Sequence, residues 1–266
     1  MRMTMSFQQY IDNPMGKRNA VFSQRDLFKQ LYTEKFDKVF LREAGKINYV
    51  LYIDKEKDRY VAHIKVPSET VKGFYYDAVI LFYSNDAAIK SSPSLQDYSV
   101  KFFSNDPAFV FTYLRVFLKN DLFFEDLKPK ASRLALKNDP KERNPYEVPG
   151  YSKILYFAYL FMKSKNLFAK SVYTSYAMPY NKSMLVNSVE HTDTKIARRQ
   201  ELGEKVRKQE SKERKENASK NDNTQPRTVV SPSGNIRMTK TTGNVRNTNT
   251  VKRSGTVKTT KKVNGK

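Results

Sequence analysis

The chain has 266 residues, with 49 Lys or Arg against 27 Asp or Glu, a formal net charge of +22, and no cysteine. The lack of cysteine excludes disulfides, cysteine-ligated zinc and thiol catalysis. The charge favours a polyanionic partner such as nucleic acid, an anionic membrane or an acidic protein. The longest apolar run, 154–162, is too short to span a bilayer, and residues 1–10 lack the apolar stretch of a signal peptide, so secretion is not expected.

Aromatic residues divide the chain into unlike parts. All 17 Phe and 17 Tyr residues lie within 1–180, and no Phe, Tyr or Trp follows. A segment without large apolar side chains cannot bury enough surface to offset the entropy of ordering its backbone. We therefore predict an α+β globular domain over 1–180, a charged linker over 181–222 that is either helical or disordered, and a basic disordered tail over 223–266.

The first predicted elements are helical and the next are β-rich. Residues 1–20 predict a short helix and a loop, and apolar residues at helical spacing predict a second helix over 24–42, with Ser23 as its N-cap. Four β-rich segments follow at 47–53, 60–66, 75–83 and 98–103. The charged link at 54–58 is typical of an antiparallel hairpin, and the simplest topology is a four-stranded antiparallel meander.

Helices then close the predicted domain. Asp106 and Pro107 predict the N-cap and first residue of a helix. Shorter helical segments are expected at 131–137 and 167–176. A helix is expected at 151–166, and because its centre is apolar on every side it should be buried in the domain. The fold class is therefore α+β: an N-terminal helix, a four-stranded antiparallel meander, C-terminal helices, and a long basic disordered arm. This order resembles the ubiquitin-conjugating-enzyme-like arrangement as a topology only, because the catalytic cysteine of such enzymes is absent.

The arm itself has two compositions. Residues 193–220 are dense in Lys, Arg, Glu and Gln, with favourable pairs such as Glu201 to Lys205, which indicates either a solvated helix acting as a spacer or a disordered segment. No acidic residue follows Asp222. The predicted nucleic-acid-binding residues are the ten cations of the tail: Arg227, Arg237, Lys240, Arg246, Lys252, Arg253, Lys258, Lys261, Lys262 and Lys266.

Binding through this tail is expected to be electrostatic and indifferent to sequence, because the tail has no aromatic side chain on which a base could stack. A loose repeat of glycine, a small polar residue, a β-branched residue and a cation begins at Gly234, Gly243 and Gly255. The repeat indicates either backbone tracking along a phosphate surface or biased composition alone. The alternative for the whole tail is a segment that only increases solubility.

Candidate catalytic groups are few. His63 is interpreted as a hydrogen-bonded or edge-strand residue and His191 as solvated, so a Ser-His-Asp arrangement has no signature context here. The chain has no histidine pair at metal-ligand spacing, no phosphate-binding loop and no dinucleotide fingerprint. Asp121, Glu125 and Asp126 indicate a solvated loop or, alternatively, the cation site of a nuclease. We predict no catalytic residue, no metal site and no cofactor.

Tyrosines on or beside the predicted strands admit two interpretations. They form core packing with a few protein contacts, or they present a sheet surface on which bases stack beside lysine. The glycine-aromatic signature of an RNA-recognition module is missing, which favours the first interpretation. These tyrosines are Tyr49, Tyr52, Tyr60, Tyr75, Tyr76, Tyr83 and Tyr98.

Three segments together resemble a known family. They are Tyr-Tyr-Asp-Ala-Val-Ile at 75–80, Val-Lys-Phe-Phe-Ser-Asn-Asp-Pro-Ala-Phe at 100–109, and 154–165 with its Leu-Tyr-Phe-Ala-Tyr-Leu centre. In these segments the chain looks like a poorly characterised family of proteins encoded by tailed bacteriophages. The resemblance covers roughly 6–176, implies a role in the virion or in infection, and transfers no catalytic residue.

Three functional hypotheses follow. The first is a non-enzymatic phage structural or virion-associated protein, located in the virion or the host cytoplasm. In this hypothesis the predicted domain over 1–180, which we call the head, docks on other virion proteins or on copies of itself. The basic arm binds nucleic acid, with DNA expected. The second is a free nucleic-acid-binding protein that acts in replication or expression, with binding determinants on the sheet. The third is a metal-dependent nuclease that uses the scattered carboxylates.

Overall fold

A computed structural model of the chain describes residues 4–12, 22–42, 47–137, 144, 147, 150 and 152–221, of which 22–29, 41 and 218–221 are described by backbone alone. The chain separates into two units, Met1–Lys212 and Glu213–Lys266. In the second unit the described part is the C-terminal end of one helix. The predicted tail over 223–266 lies outside the described residues.

A five-stranded sheet forms the centre of the first unit. Its strands are β1 (Tyr49–Asp54), β2 (Arg59–Pro67), β3 (Tyr75–Tyr83), β4 (Ser99–Ser104) and β5 (Met178–Pro179). They lie in the order β4-β3-β2-β1-β5, and the first four strands are antiparallel neighbours. The predicted α+β class and four-stranded meander are confirmed. The short β5, parallel to β1, was not predicted, because two residues including a proline carry no strand pattern.

The helices surround this sheet. They are α1 (Phe7–Asp12), α2 (Phe22–Arg42), α3 (Ala87–Ser91), α4 (Leu114–Lys119), α5 (Arg133–Lys137), α6 (Lys153–Ser164), α7 (Lys170–Tyr176), α8 (Lys182–Ser188) and α9 (Thr192–Asn221). A π-helical turn, Phe109–Tyr113, leads into α4. The predicted helices correspond to α1, α2, α5, α6 and α7, and the helix predicted to start at Asp106 and Pro107 corresponds to the π-helical turn with α4. The five-residue α3 was not predicted. Among the described residues, no helix is both long enough and apolar enough to cross a membrane.

The first face of the sheet packs against aromatic side chains and α6. The ring of Phe7 lies 6.3 Å from that of Phe82 on β3 and 5.1 Å from that of Phe102 on β4. Eight residues of the twelve-residue α6 are buried, and its Phe157 ring lies 5.6 Å from that of Phe36 on α2. Helix α6 is therefore covered from more than one side, which confirms its predicted burial.

Two helix N-termini meet at one buried carboxylate. Asp106, 3% exposed, accepts a hydrogen bond from the Phe109 amide at 3.0 Å and from the Ser104 and Ser152 hydroxyls, each at 2.9 Å. Ser152 in turn caps α6 by accepting from the Leu155 amide at 3.4 Å. Burial raises the pKa of Asp106, although these hydrogen bonds oppose the shift. Asp106 is therefore the predicted N-cap, and it also fixes the start of α6.

Packing continues beyond the predicted boundary at residue 180. Helix α8 and the first turn of α9 bury Leu185, Val189 and Thr192, which are 0, 1 and 0% exposed. A segment without aromatic residues can pack here because the folded sheet and its neighbouring loops already supply the opposite wall. Of the two alternatives for 181–222, the described structure is helical, as α8 and α9.

Candidate nucleic-acid interface and buried polar sites

The predicted nucleic-acid interface follows the end of α9. All ten predicted binding residues, from Arg227 to Lys266, lie outside the described residues. The structure does describe the helix that precedes them, from its root on the domain to its exposed C-terminal turns. The geometry of this helix determines where the chain leaves the folded unit.

The root of α9 is fixed by buried polar contacts. Thr192 Oγ1 donates to the carbonyl of Lys130 at 2.7 Å, and Lys195 Nζ contacts Glu190 Oε2 at 2.6 Å. Lys195 is buried, and its ammonium also lies 4.9 Å from the centre of the Phe74 ring. The first turn of this charged helix therefore belongs to the folded domain.

The later turns of α9 have a different environment. Every side chain over 207–217 is exposed, and this stretch has five basic and three acidic residues. The predicted pair of Glu201 and Lys205 is present, with Lys205 Nζ 2.7 Å from Glu201 Oε1, and this contact lowers the pKa of Glu201. Such pairs stabilise a helix that has no packing partner. The exposed turns present net positive charge to solvent.

A network of polar groups joins the second face of the sheet to the segment between α8 and α9; His63, Asp77 and Asn105 are buried in it, whereas Glu190 is half-buried and Ser188 is exposed. His63 Nε2 lies 2.9 Å from Asp77 Oδ1, and the Asn105 amide donates to Asp77 Oδ2 at 2.6 Å. Asn105 Nδ2 also reaches the Glu190 carbonyl at 3.4 Å, and Ser188 Oγ lies 3.3 Å from His63 Nδ1. We call these five residues the buried polar network. Of its members, the sequence interpretation had considered His63 alone.

The electrostatics of this network depend on Asp77. Burial by itself would raise the pKa of the Asp77 carboxyl, but the hydrogen bond and charge of His63, with Lys195 and Asn105, hold that pKa below its ordinary value. His63 lies on β2, a central strand, and is 2% exposed. Of the two sequence interpretations for His63, the hydrogen-bonded one is therefore correct and the edge-strand one is wrong.

Ser188, His63 and Asp77 form a Ser-His-Asp chain of contacts, which invites a catalytic interpretation. The Ser188 hydroxyl, however, donates its single proton to the Leu185 carbonyl at 2.8 Å. Its oxygen can then only accept from His63, so in this geometry the imidazole does not activate the hydroxyl as a base would. The contacts position the end of α8 on the sheet.

The predicted acidic trio is divided among different contacts. Asp121 Oδ1 accepts from Lys101 Nζ at 2.7 Å, and Asp126 accepts from the Tyr180 hydroxyl at 2.5 Å and lies 3.1 Å from Lys182 Nζ. Burial would raise the pKa of Asp126, but these two donors lower it. Within the described part of the chain, no group of three His, Asp or Glu side chains could hold a metal ion.

Most of the predicted strand tyrosines belong to the core. Tyr52, Tyr60, Tyr76 and Tyr98 are each at most 6% exposed, whereas Tyr49 is 43% exposed. The Tyr60 ring packs edge-on against that of Tyr98 at 5.7 Å. These positions agree with core packing, so a general base-stacking surface across the sheet is not formed by them.

Comparison with protein-family models, with curated proteins and with solved structures returns no match for this chain. The resemblances to tailed-phage proteins and to the ubiquitin-conjugating-enzyme topology therefore remain predictions. The functional interpretation depends on the residues of this chain alone.

Proposed function

We propose that the protein binds nucleic acid electrostatically through the tail, residues 223–266, and that its head docks on other proteins. The observation that carries this proposal is the run of ten cations without one acid after Asp222. Each cation that neutralises a phosphate releases a condensed counterion, so affinity comes from charge rather than from base sequence. The setting that we propose is a tailed-phage virion, with a non-enzymatic, structural role.

The described helix supports this proposal. The spacer is α9, which is fixed to the domain at Thr192 and is exposed over 207–217. It therefore connects the tail to a folded anchor, and its exposed stretch adds net positive charge. At 1.5 Å per residue, the exposed stretch from 207 to 217 is about 16 Å long. The spacer therefore suits the capture of an extended polyanion.

Exposed apolar side chains support the docking role of the head. Tyr176, Met178 and Met184 are 80, 40 and 50% exposed. Tyr176 ends α7, Met178 lies on β5, the terminal strand of the sheet, and Met184 lies on α8. Aromatic and Met side chains are enriched in protein interfaces. An edge with these residues is the part of the head that we expect to contact another protein.

Salt-dependent DNA binding tests the tail directly. The full chain is compared with a chain ending at Asp222 and with a full-length variant in which all ten tail cations are changed to Gln. A cut at residue 180 would be unsuitable because it removes the buried Leu185, Val189 and Thr192. If the tail engages ten phosphates of duplex DNA, the logarithm of the binding constant should fall against the logarithm of the salt concentration with a slope of about −9. For both variants this slope should be much closer to zero.

A control variant keeps the composition of the tail and permutes its order. Charge-driven binding predicts the same affinity and slope for the permuted tail, whereas loss of binding would point to the glycine-containing repeat. Unchanged affinity and slope after the cut at Asp222 would refute the role of the tail. Mass spectrometry of purified particles tests the proposed setting, since a virion protein is present in them and a replication protein is not.

A further inference from the structure

Two pockets on the head differ in the charge of the side chains that line them. One, of about 320 Å³, is lined by Glu69 and Asp106 as well as by Lys153 and Arg199, so its acids and bases are equal in number. The other, of about 420 Å³, has three cations and no carboxylate in its lining. We call this second pocket the cationic pocket; its charged residues are Lys57, Arg59 and Lys101.

Strand register explains why the cations of this pocket converge. Lys101 on β4 lies directly beside Leu81 on β3, and Leu81 lies beside Val61 on β2, two residues from Arg59. Side chains two residues apart on a strand share one face, so Arg59 and Lys101 flank Leu81 and Tyr83 on the second face. Lys57, in the turn before β2, is exposed at the rim.

Carboxylates outside the pocket lining fix two of the cations. Arg59 directs Nε and Nη2 to Asp54 Oδ2 at 3.2 and 2.7 Å, and Lys101 directs Nζ to Asp121 Oδ1 at 2.7 Å. The Nη1 donors of Arg59 are not used in the Asp54 contact. The lining of the pocket itself holds three cations and no carboxylate, whereas Glu125 and Asp126 line a smaller adjoining cavity that shares Arg59 and Lys101. The guanidinium and ammonium groups are already oriented before a ligand binds.

An aromatic ring adjoins these cations. Tyr83 is partly buried, lines the pocket, and has the Lys101 ammonium 5.7 Å from its ring centre. The exposed Asn85 adds an amide that can both donate and accept. Cations beside an aromatic face are the groups that bind a phosphate joined to a planar base. The volume lies within the range of small-ligand sites.

We propose that the cationic pocket binds a nucleotide, with its phosphate on Lys57, Arg59 and Lys101 and its base against Tyr83. The same chemistry is offered by a free mononucleotide and by one nucleotide of a single strand. This site lies on the head and is separate from the proposed tail interaction. It also gives the second sequence hypothesis, binding determinants on the sheet, a specific location.

Titration of the full-length protein with deoxythymidine monophosphate, followed by ¹⁵N NMR, tests the site. We expect the largest shifts at the pocket residues. Lys57→Gln should weaken binding about tenfold, since it removes a charged contact without breaking a buried ion pair. The matched control is Lys72→Gln, which removes the same charge from an exposed position outside the pocket and should leave affinity unchanged.

A second pair of variants tests the base contact. Tyr83→Leu should reduce the preference for deoxythymidine monophosphate over inorganic phosphate about tenfold, whereas Tyr83→Phe should retain it. Equal losses for Lys57→Gln and Lys72→Gln, or shifts spread over the surface without a cluster at the pocket, would overturn the proposal. A preference that survives in Tyr83→Leu would overturn the base assignment.

The source of the nucleotide is distinguished in the variant whose tail cations are Gln. Tighter binding of an oligothymidylate of about eight nucleotides than of the mononucleotide, with sensitivity to Lys57→Gln, identifies a single strand as the ligand. Equal binding of both identifies a free nucleotide. The tail assay uses duplex DNA and salt dependence, so failure of the tail proposal leaves this test unaffected, and the reverse also holds.

Discussion

Replacing Asp77 by Asn tests the buried polar network. The Asp77 carboxylate accepts from His63 Nε2 at 2.9 Å, from Asn105 Nδ2 at 2.6 Å and from the Glu190 amide at 3.4 Å. The side-chain amide introduced by Asp77→Asn has one acceptor oxygen instead of two, and its NH₂ group would face one of the groups that donate to the carboxylate. His63 would also lose its contact with a negative charge. Leaving a buried hydrogen-bonding group without its partner costs about 1–3 kcal/mol, so with several donors affected we expect the unfolding free energy to fall by about 3 kcal/mol.

Urea unfolding followed by far-UV circular dichroism measures this change. The control is Asp97→Asn at an exposed position, which should change the unfolding free energy by no more than about 0.5 kcal/mol. Because the folded-state pKa of Asp77 is lowered, its stabilisation is complete above the unfolded pKa, about 3.9, and is lost as pH falls through the folded value. The gap between wild type and Asp77→Asn should therefore narrow below about pH 4. Equal stability of both proteins at pH 7, or a gap that does not narrow in acid, would refute the reasoning.

Three further substitutions, two of them compared with a second variant, are expected to change the stability measured by urea unfolding as follows. Leu185→Ala should lower the free energy of unfolding by about 2–5 kcal/mol, because Leu185 is fully buried. Met184→Ala, at a half-exposed neighbour, should change it by less than about 0.5 kcal/mol. Equal effects of the two substitutions would place α8 outside the folding unit. Tyr173→Phe should be neutral or stabilising by about 1 kcal/mol, since its hydroxyl is buried and has no hydrogen-bond partner among the residues that the structure describes. Tyr60→Phe should cost about 1–2 kcal/mol through loss of the Asp58 hydrogen bond, and a large loss for Tyr173→Phe would contradict this assignment. Gly73→Ala should lower the free energy of unfolding by about 1 kcal/mol, because a φ of +74° disfavours a residue with a Cβ even though the space around this position is open. An unchanged urea midpoint would contradict this expectation.

The sheet and most helices could be predicted because each has a strong local pattern. Residues 75–83 are apolar nearly throughout and form β3 with the predicted ends, and Asp106 followed by Pro107 marks a helix start. Local patterns failed where packing depends on distant partners. Nothing in the composition after residue 180 indicates that Leu185 and Val189 reach the core, because the wall they pack on is built by residues far away in sequence.

The candidate sites were less predictable for the same reason. The buried polar network joins two strands, the loop after β4 and the α8–α9 segment, and no spacing rule relates those positions. One signal was present: Asp77 interrupts an otherwise apolar strand, and a carboxylate placed there requires a buried partner. The cationic pocket depends on the register that brings Lys101 beside Leu81, which a single sequence does not specify.

The attachment of α9 has a mechanical consequence. Glu190, which precedes its first turn, is linked through Asn105 to Asp77 on β3, and Asp77 contacts His63 on β2; both strands lie in the interior of the sheet rather than at its margin. A load on α9 would pass from the contacts of Thr192 and Lys195 to these hydrogen bonds, and so to strands that are paired on both sides.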